Sequence, residues 1–582
     1  MTSQNNANAV RAEFADLADK ASEVLIIGGG INGISIMRDL SLQGISVTLV
    51  DRGDIMSGAS AASSHMIHGG IRYLENGEFR LVRESVQERN DLLRTAPHVV
   101  KPLQTTVPMF SLTSGLLSAP LKMMHLAKGK RSERGALLIG VGLMIYESFS
   151  RVNGVMPRFS FVGKKGAFGI LPSLHKGVKY VASYYDASVH EPERLALDLV
   201  ADALATGNAR VVTYAEAVGV KDGGVQLKDA LTDTVVTARA DLVINASGPL
   251  TDITNGALGR ATTFMGGTKG SHIVVDHPEL YAELAGRELF FENSDGRIVL
   301  IYPVKGRVLI GTTDIFVDPR EPVRCTEEEV DYFFDLVKHV LPGISLDRSQ
   351  IVFRFSGIRP LPKQDVSAAG FVSRDYRIDE DTLPGTPDVP FFSVVGGKWT
   401  TFRALGEHVS GMVLETFGRV RRQSTLGLPI GGGKNFPATA SARDGWLASH
   451  TDGLSAERVE QLLERYGTRA SALIAVLEAE GDTPMVSLST YSEQEIAYLV
   501  RAEQAVRLDD VLLRRTTLAF AGELNETRVN EIASVVGQAL NWDAPRLELE
   551  IDRAWGILRT KHGVTGDTEQ LIFDRSLPKP HN

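Results

Sequence analysis

The sequence predicts a mixed α/β fold, α+β overall, in which a discontinuous parallel sheet is combined with an inserted antiparallel sheet and a C-terminal helical domain. Three observations predict it. An apolar run at 24–27 meets a glycine turn and then a helical pattern at 34–40. Short strand-like runs follow one another from 271 to 313, and helical periodicity prevails after 436. Because 582 residues exceed one ordinary core, two or three domains are expected.

The first strand-like run ends in a turn with the pattern Gly-x-Gly-x-x-Gly at Gly28, Gly30 and Gly33. Gly28 permits the tight turn, Gly30 lets the backbone approach a pyrophosphate, and Gly33 lets the following helix pack closely on the strand. Asp51 closes the next apolar run, where a carboxylate that binds a ribose is expected. Strand, turn, helix and acid together favour a Rossmann-like dinucleotide-binding domain over a turn that binds nothing.

Bulk composition excludes several classes of function. The formal net charge of −9 argues against a general nucleic-acid binder, so no nucleic-acid partner is expected. Cys325 is the single cysteine, which rules out an intrachain disulfide and a cysteine-rich metal site, so we expect no metal and a cytoplasmic protein. Residues 1–20 are polar and acidic, as in a short leader rather than a secretion signal. No apolar run reaches the roughly 20 residues of a membrane span.

The order of strand and helix patterns divides the chain into domains. Residues 431–435 are typical of a linker, and beyond them Ser455 and the pattern Ser492-x-x-Glu495 predict helix N-termini. The predicted segments are 1–20 (leader), 21–75, 186–265 and 355–425 (dinucleotide-binding domain), 76–185 and 266–354 (substrate or cap domain), 436–565 (helical domain) and 566–582 (tail).

A series of motifs over nearly the whole chain resembles the FAD-dependent glycerol-3-phosphate dehydrogenases. Any one motif could be chance, but so many in the right order are specific. The matching residues are 26–33, 63–74, 245–249, 269–274, 310–314, 356–361, 373–376, 396–403 and 508–515. The chain departs from the family at His65, where the family usually has Lys, and at 190–191, where it tends to carry paired acids. Residues 120–165 match poorly. These departures bear on the substrate more than on the cofactor.

The resemblance implies FAD as cofactor and oxidation of sn-glycerol 3-phosphate to dihydroxyacetone phosphate. A hydride would pass to flavin N5 and the electrons to a quinone, and we expect a homodimer. Because relatives with FAD act on other phosphorylated polyols, the same chemistry on erythritol phosphate is an alternative. A non-catalytic FAD-binding protein is another, against which the intact glycine turns and the retained cations argue. A third alternative within the fold, an amine or amino-acid oxidase, would need one Arg for a carboxylate and no cluster of cations, so the set Arg359, Arg374 and Lys398 argues against it.

The residues that the resemblance assigns to FAD lie mainly where strand-like runs end. Backbone N–H groups of the turn at 396–398 could hold the side of the flavin where negative charge builds on reduction. His68, just before two glycines, is expected to pack near the flavin. The full set is Gly28, Gly30, Asn32, Gly33, Asp51, Arg52, Ser63, Ser64, His68, Gly69, Gly70, Ala246, Gly248, Gly357, Gly397, Lys398 and Thr400.

A glycerol phosphate needs fixed cations for its dianion. Arginine suits phosphate because its guanidinium binds two oxygens and never deprotonates. Arg359 and Arg374, each within a matched motif, are assigned to the substrate, followed by Arg72 with Tyr73. Lys398 is expected to serve both the substrate and the flavin, since a cation at a helix start is unfavourable without a partner.

The same substrate must lose the proton of its C2 hydroxyl. His272 is the candidate base, because a neutral imidazole can take a proton near pH 7. The alternative is a strand histidine that is satisfied by the core or that hydrogen-bonds the substrate without taking a proton. His272, Arg359 and Lys398 form the predicted catalytic set, and Asp314 could orient one of them.

One stretch is basic in an otherwise acidic chain. Residues 121–135 carry five Lys or Arg against one Glu, and the apolar run 136–146 follows directly. Basic and apolar residues together suit the interface of an anionic membrane, here the inner face of the cell membrane, and a quinone acceptor would match. The other interpretation is a solvated loop followed by a buried helix.

Overall fold

The computed structural model describes residues 11–70, 79–112, 143–144, 146, 156–292, 298–363 and 375–566. Three predicted substrate residues, Arg72, Tyr73 and Arg374, lie outside the described residues. So do residues 121–142 of the basic and apolar stretch, and nearly all of the predicted tail.

The strands alternate with helices along the first two thirds of the chain, as an α/β fold requires. They are β1 (Ser22–Ile27), β2 (Val47–Val50), β3 (Met66–Ile67), β4 (Val100–Met109), β5 (Ser160–Gly163), β6 (Tyr180–Val189), β7 (Ala209–Val212), β8 (Ala215–Lys221), β9 (Gly224–Asp229), β10 (Val235–Ala238), β11 (Ala240–Asn245), β12 (Thr268–Val275), β13 (Arg287–Glu292), β14 (Ile298–Val304), β15 (Arg307–Gly311), β16 (Ile315–Phe316), β17 (Ile351–Arg359), β18 (Arg377–Leu383) and β19 (Thr386–Val395).

The helices divide between the α/β part and a C-terminal helical domain. They are α1 (Ala12–Asp19), α2 (Ile31–Leu42), α3 (Phe79–Thr95), α4 (Lys164–Ile170), α5 (Pro192–Leu204), α6 (Thr251–Ala257), α7 (Pro278–Leu284), α8 (Glu327–Val340), α9 (Phe402–Thr416), α10 (Ala440–Ala448), α11 (Ala456–Tyr466), α12 (Ala470–Glu480), α13 (Glu493–Ala502), α14 (Leu508–Asp510), α15 (Glu526–Ala539) and α16 (Ala544–His562). A π-helical turn, Val511–Arg515, continues α14.

The first sheet has the order β18-β19-β11-β1-β2-β7. Its strands pair in parallel except for β18, which forms an antiparallel hairpin with β19. The last four residues of β1 and all of β2 are buried, because helices such as α2, α5 and α9 pack beside the sheet. Strands from three distant stretches of the chain build this sheet, which confirms the predicted discontinuous Rossmann-like domain.

The second sheet forms the cap. Its order is β16-β12-β15-β14-β13-β4-β6-β3, with β17 also paired to β12 and β5 to β6. All pairs are antiparallel except β13 with β4. The boundary predicted at residue 355 falls inside β17, which lies in this sheet, because β17 pairs with β12 along nearly its whole length. Every residue of β12 is buried, because it pairs with β15 on one side and with β17 on the other.

A small antiparallel sheet, β8-β9-β10, lies beside the parallel one, and helix α1 covers the same side. Phe14 and Leu17 of α1 are buried, and the Arg11 guanidinium donates to Asp229 at 2.9 Å. Residues 12–19 of the predicted leader therefore form a packed helix.

The helical domain begins as its caps predict. Ser455 accepts a hydrogen bond from the Arg458 N–H, and Ser492 accepts one from the Glu495 N–H. The Glu495 carboxylate, however, accepts from Arg458, Arg465 and the Tyr466 hydroxyl. The predicted capping box is therefore half formed, because these donors satisfy a fully buried carboxylate.

The predicted linker at 431–435 is instead mostly a buried turn. Gly431, Gly432 and Gly433 are buried in a short 3₁₀ turn. A Cβ on Gly432 would lie less than 3.0 Å from the Tyr466 carbonyl, and one on Gly433 would meet the Thr95 carbonyl as closely. Glycine is needed here for close backbone packing rather than for flexibility.

None of the helices among the described residues is long and apolar enough to cross a membrane.

Candidate active site

Three neighbouring parallel strands, β1, β11 and β19, end at one edge of the first sheet. Gly28 follows β1, Ala246 follows β11 and Gly396 follows β19. In parallel α/β sheets, ligands bind in the crevice beyond these carboxyl ends. The turns after the three strands therefore share one crevice.

The glycine turn after β1 depends on the absence of side chains. Gly28 has φ +121°, and a Cβ there would lie within 2.5 Å of the Ala246 carbonyl oxygen. A Cβ on Gly33 would come closer still to the Gly28 carbonyl oxygen. The start of α2 can therefore pack against the turn only while both positions are glycine.

The N-terminus of α2 begins at this turn. Gly30 is the N-cap and, as a glycine, has no side chain that could cap the helix. Ser60 accepts from the Ile31 N–H at 3.0 Å, and Asp51 accepts from the Gly29 N–H at 2.6 Å and the Gly53 N–H at 2.8 Å. Burial raises the pKa of Asp51 to about 6. An acid beside an open helix N-terminus suits a ligand that presents hydroxyl groups next to phosphates.

The turn after β19 packs against the start of α2. Gly397 has φ +111°, and a Cβ there would collide with the Asn32 side chain. The Asn32 Oδ1 atom is buried without a partner among the residues that the structure describes. The Trp399 indole donates to the Ser60 carbonyl at 3.0 Å, and Thr400 is buried. The contacts bring residues 396–400 to the glycine turn, as the predicted cofactor set requires.

These features fit FAD. The glycine turn leaves room for a pyrophosphate, Asp51 lies where a ribose would bind, and Asn32 has a buried oxygen without a described partner. Gly248, with φ +62°, begins the turn after β11. Arg52 is exposed beside Asp51 and lowers its pKa slightly against the effect of burial.

Residues 51–66 run from the end of β2 to the cap, and we call them the 51–66 segment. Ser63 accepts from the His65 N–H at 3.3 Å, and the Tyr302 hydroxyl donates to the Ser64 carbonyl at 3.0 Å. A Cβ on Gly357 of β17 would collide with Ala62. The segment therefore lies directly against cap strands β14 and β17.

The stretch 68–70 follows β3 and is fixed by buried charge. Asp186 of β6 accepts from the Gly69 N–H at 3.0 Å, from Arg89 at 2.8 Å and from the Tyr146 hydroxyl at 2.5 Å. Gly70 has φ +73°, and His68 is half-buried. In the sequence, Asp186 belongs to a motif that differs from the family pattern, and it was given no role. No local pattern indicated a role for Arg89.

His272 lies on the buried cap strand β12. Its Nε2 atom is 2.8 Å from the Ser64 hydroxyl, and its ring stacks on Phe355 at 4.7 Å. Burial, with the positive charge of Arg359 and the neighbouring His65, holds the pKa of His272 well below its usual value. The imidazole is therefore neutral near pH 7.

His65, where the family usually has Lys, is buried with φ +55°. Its ring stacks on Phe520 of the helical domain at 5.2 Å and lies 6.1 Å from Phe355. Burial, with a smaller effect of His190, lowers the pKa of His65 to about 3. The residue is thus a neutral packing element behind His272, and it carries no cation into the site.

Arg359 ends β17 and is half-buried. Its guanidinium donates to Asp314 at 3.1 Å, to the Thr312 hydroxyl at 2.9 Å and to the Thr313 carbonyl at 2.9 Å. A Cβ on Gly270 would collide with this guanidinium. Asp314 therefore helps to fix the position of the Arg359 guanidinium, and the role of this arginine towards a substrate stays a prediction.

Lys398 is half-buried, and its Nζ atom is buried. Its positive charge reaches Glu84 of α3, where it opposes the increase in pKa that burial causes. The structure thus gathers the glycine turn, the 51–66 segment, the 396–400 turn, His272 and Arg359 around one crevice. Sequence reasoning gave no role to Ser60 and Phe355, which lie outside the matched motifs, nor to Thr312, which lies inside the motif at 310–314.

Comparison with known proteins identifies related chains. The family described as FAD dependent oxidoreductase matches residues 23–409, and the C-terminal domain of alpha-glycerophosphate oxidase matches 423–547. A glycerol-3-phosphate dehydrogenase of Synechocystis sp. is 33% identical, covering 87% of this chain and 90% of the relative. A D-erythritol 1-phosphate dehydrogenase of Brucella abortus is 31% identical, covering 85% and 94%. The solved glycerol-3-phosphate dehydrogenase of Bacillus halodurans complexed with FAD has a TM-score of 0.71 at 23% identity, covering 94% and 96%.

The Rossmann-like sheet, the glycine turn and the match over 23–409 define the chain as an FAD-dependent oxidoreductase. Within that class it belongs to the family of FAD-dependent glycerol-3-phosphate dehydrogenases. FAD is its cofactor. The predicted fold class, family and cofactor are confirmed, whereas the roles of the individual site residues stay predictions.

Proposed function

We propose that the protein oxidises the C2 hydroxyl of sn-glycerol 3-phosphate to give dihydroxyacetone phosphate, and that a quinone accepts the electrons. The observation that carries the proposal is the cation Arg359, which Asp314 fixes on the strand next to the neutral His272 of β12. A phosphorylated alcohol needs both groups, one for its dianion and one for its hydroxyl proton. The name of the Synechocystis relative supports the same substrate.

Bound FAD supplies the two-electron acceptor for the hydrogen of the carbinol carbon. The chain holds the cofactor at the glycine turn, binds the phosphate, and takes up the hydroxyl proton. Arg359 is already oriented by Asp314, Thr312 and Thr313, so binding a phosphate costs little further ordering. Lys398 adds a second cation beside the glycine turn. Arg72, Tyr73 and Arg374 complete the predicted phosphate site and stay predictions.

His272 receives the hydroxyl proton in this proposal. Its pKa is low in part because Arg359 repels the protonated form. A phosphate dianion beside Arg359 offsets that repulsion, so substrate binding raises the pKa of His272. In His272→Gln, which can hydrogen-bond but cannot take the proton, kcat should fall about 10²–10⁴-fold with FAD content unchanged. A kcat within about fivefold of the wild-type value would favour the role of a hydrogen-bonding histidine.

A second candidate is the same oxidation on erythritol phosphate. The Brucella abortus relative supports it, since its identity of 31% is close to the 33% of the Synechocystis relative. At His65 the chain departs from the family, because a neutral buried ring replaces the cation usual at this position.

The acceptor, the location and the assembly are further parts of the proposal. Contact of residues 121–146 with the inner face of an anionic membrane would give access to a membrane quinone. Cosedimentation with anionic vesicles, lost at high salt, tests the contact. Reduction of a short-chain quinone in the absence of oxygen tests the acceptor, and light scattering of the purified protein tests the homodimer.

One experiment tests the substrate directly. The purified holoenzyme is mixed with each of a panel of polyol phosphates in the absence of oxygen. The flavin absorbance at about 450 nm is followed. Bleaching by glycerol 3-phosphate is the expected result. Bleaching by erythritol phosphate alone would overturn the main proposal in favour of the second candidate. Retention of colour with every member would favour a non-catalytic FAD-binding protein.

A further inference from the structure

The 51–66 segment contributes four of the groups that border the FAD crevice, yet it has little regular structure of its own. Asp51, Ser60, Ser63 and Ser64 all belong to it, and it forms turns and bends from its start to Met66. Such a segment holds its shape only through contacts with other parts of the molecule.

The first contact is a buried ion cluster. Asp54 is 1% exposed, and its carboxylate accepts from Arg514 and from both terminal nitrogens of Arg515. Arg514 also donates to Asp509 and Asp510 of α14, whose carboxylates belong to the helical domain. Asp54 is thus the acid through which this segment is attached to the π-helical turn Val511–Arg515.

The second contact is apolar and lies at the other end of the segment. His65 stacks on Phe520 at 5.2 Å with nearly parallel rings. Ala62 and Met66 pack against the apolar cluster that fills the helical domain. The helical domain therefore contacts the segment on both sides of Ser60.

We propose that the C-terminal helical domain is a clamp that positions the 51–66 segment for FAD, and that Asp54 and Arg515 are positioning residues for cofactor binding. If the segment spends part of its time in other conformations, only the remaining fraction of the protein can bind FAD, and the apparent affinity for FAD falls accordingly. The ion cluster and the His65–Phe520 stack keep the misplaced fraction of the segment small. This inference needs FAD as cofactor and is independent of which polyol phosphate is oxidised.

The test compares Asp54→Asn with a matched control, Glu495→Gln. Both remove the charge of a buried carboxylate that accepts from two arginines, but Glu495 lies within the helical domain and contacts Arg458 and Arg465. Starting from each holoenzyme, equilibrium dialysis gives the Kd of FAD. Hydrogen exchange followed by mass spectrometry gives the protection of peptides from the 51–66 segment.

We expect Asp54→Asn to raise the Kd of FAD about tenfold and to speed exchange in the segment. Glu495→Gln should change both by less than about twofold although it lowers the melting temperature. A Kd within about twofold of wild type in Asp54→Asn, or an equal increase in Glu495→Gln, would overturn the proposal.

If Asp54→Asn does not fold, Arg515→Lys replaces it, because Lys keeps the charge and loses the second hydrogen bond to Asp54. The expected result is then an increase in Kd of about threefold with faster exchange confined to the segment. Wild-type exchange in the segment of Arg515→Lys would overturn the clamp.

Discussion

The FAD crevice has two sides. The turns after β1, β11 and β19 form the cofactor side, and strands β12 and β17 form the cap side, and the two sides are packed in different ways. On the cofactor side, Gly28 and Gly33 leave space for close backbone contacts, and Gly397 leaves space for the Asn32 side chain. On the cap side, buried side chains make the contacts, and several of them titrate or carry charge. The cofactor side should therefore be destroyed by a single methyl group, whereas the cap side should respond to the loss of a particular charge or proton.

The largest effect is expected from Gly33→Ala. The new methyl group would collide with the Gly28 carbonyl oxygen at the start of α2. We expect FAD affinity to fall more than about a hundredfold, so that the protein is purified without yellow colour. Gly411→Ala is the matched control, because Gly411 lies in α9 with open space around it and should gain about 0.5–1 kcal/mol of stability. Full occupancy by FAD in Gly33→Ala would contradict the contrast between the two sides.

Arg359→Lys tests the cap side. Lysine keeps the charge but cannot make the three hydrogen bonds to Asp314, Thr312 and Thr313 together. We expect kcat/KM for glycerol 3-phosphate to fall about a hundredfold while FAD content stays at the wild-type level.

Arg320→Lys is the control for that change, because Arg320 is 74% exposed and pairs only with Asp318 in the described part of the chain. Its kcat/KM should stay within about twofold of wild type. Loss of FAD from Arg359→Lys would show that the two sides of the crevice are not separable.

The smallest effect on the site is expected from Glu288→Gln in the cap sheet. Burial raises the pKa of Glu288 to about 8, and its carboxyl group is hydrogen-bonded to Thr105. The folded wild type keeps a proton that the unfolded chain loses above about pH 4.5, so its stability falls as pH rises towards 8. Glutamine has no such proton. The free energy of unfolding of the variant, relative to that of wild type, should therefore increase by about 2 kcal/mol from about pH 6 to pH 7.5. Denaturant unfolding at each pH measures it.

Glu328→Gln, at an exposed position of α8, is the control for the pH series. Between about pH 6 and pH 7.5 the difference in stability between this variant and wild type should stay constant. A constant difference for Glu288→Gln over the same pH range would mean that Glu288 is already ionised in the folded protein.

The cofactor side could be predicted largely from sequence because its signals are local. Strand, glycine turn and helix follow one another within about twenty residues of Gly28, and Asp51 closes the next strand. The cap side could not be predicted in the same way. Arg359 is fixed by residues 312–314, and His272 meets Ser64 from more than two hundred positions away. Such contacts depend on strand order and register, which periodicity does not give.

In the helical domain, too, local patterns were predicted but contacts between distant residues were not. The caps at Ser455 and Ser492 were predicted from short patterns. The ion pair of Asp54 with Arg515 joins residues 461 positions apart, and no local pattern marks it. Glu495 was predicted to close a capping box, but it is drawn to Arg458 and Arg465 because burial demands more donors than one N–H supplies.

The buried turn Gly431–Gly433 has a consequence for dissecting this protein. It presses against the backbone of Thr95 at the end of α3 and of Tyr466 at the end of α11. Cutting the chain there would not release two finished domains, since each half would expose the backbone that the turn covers. The two halves are therefore best studied by substitutions within the intact chain, and a fusion partner inserted at this turn should prevent both from folding.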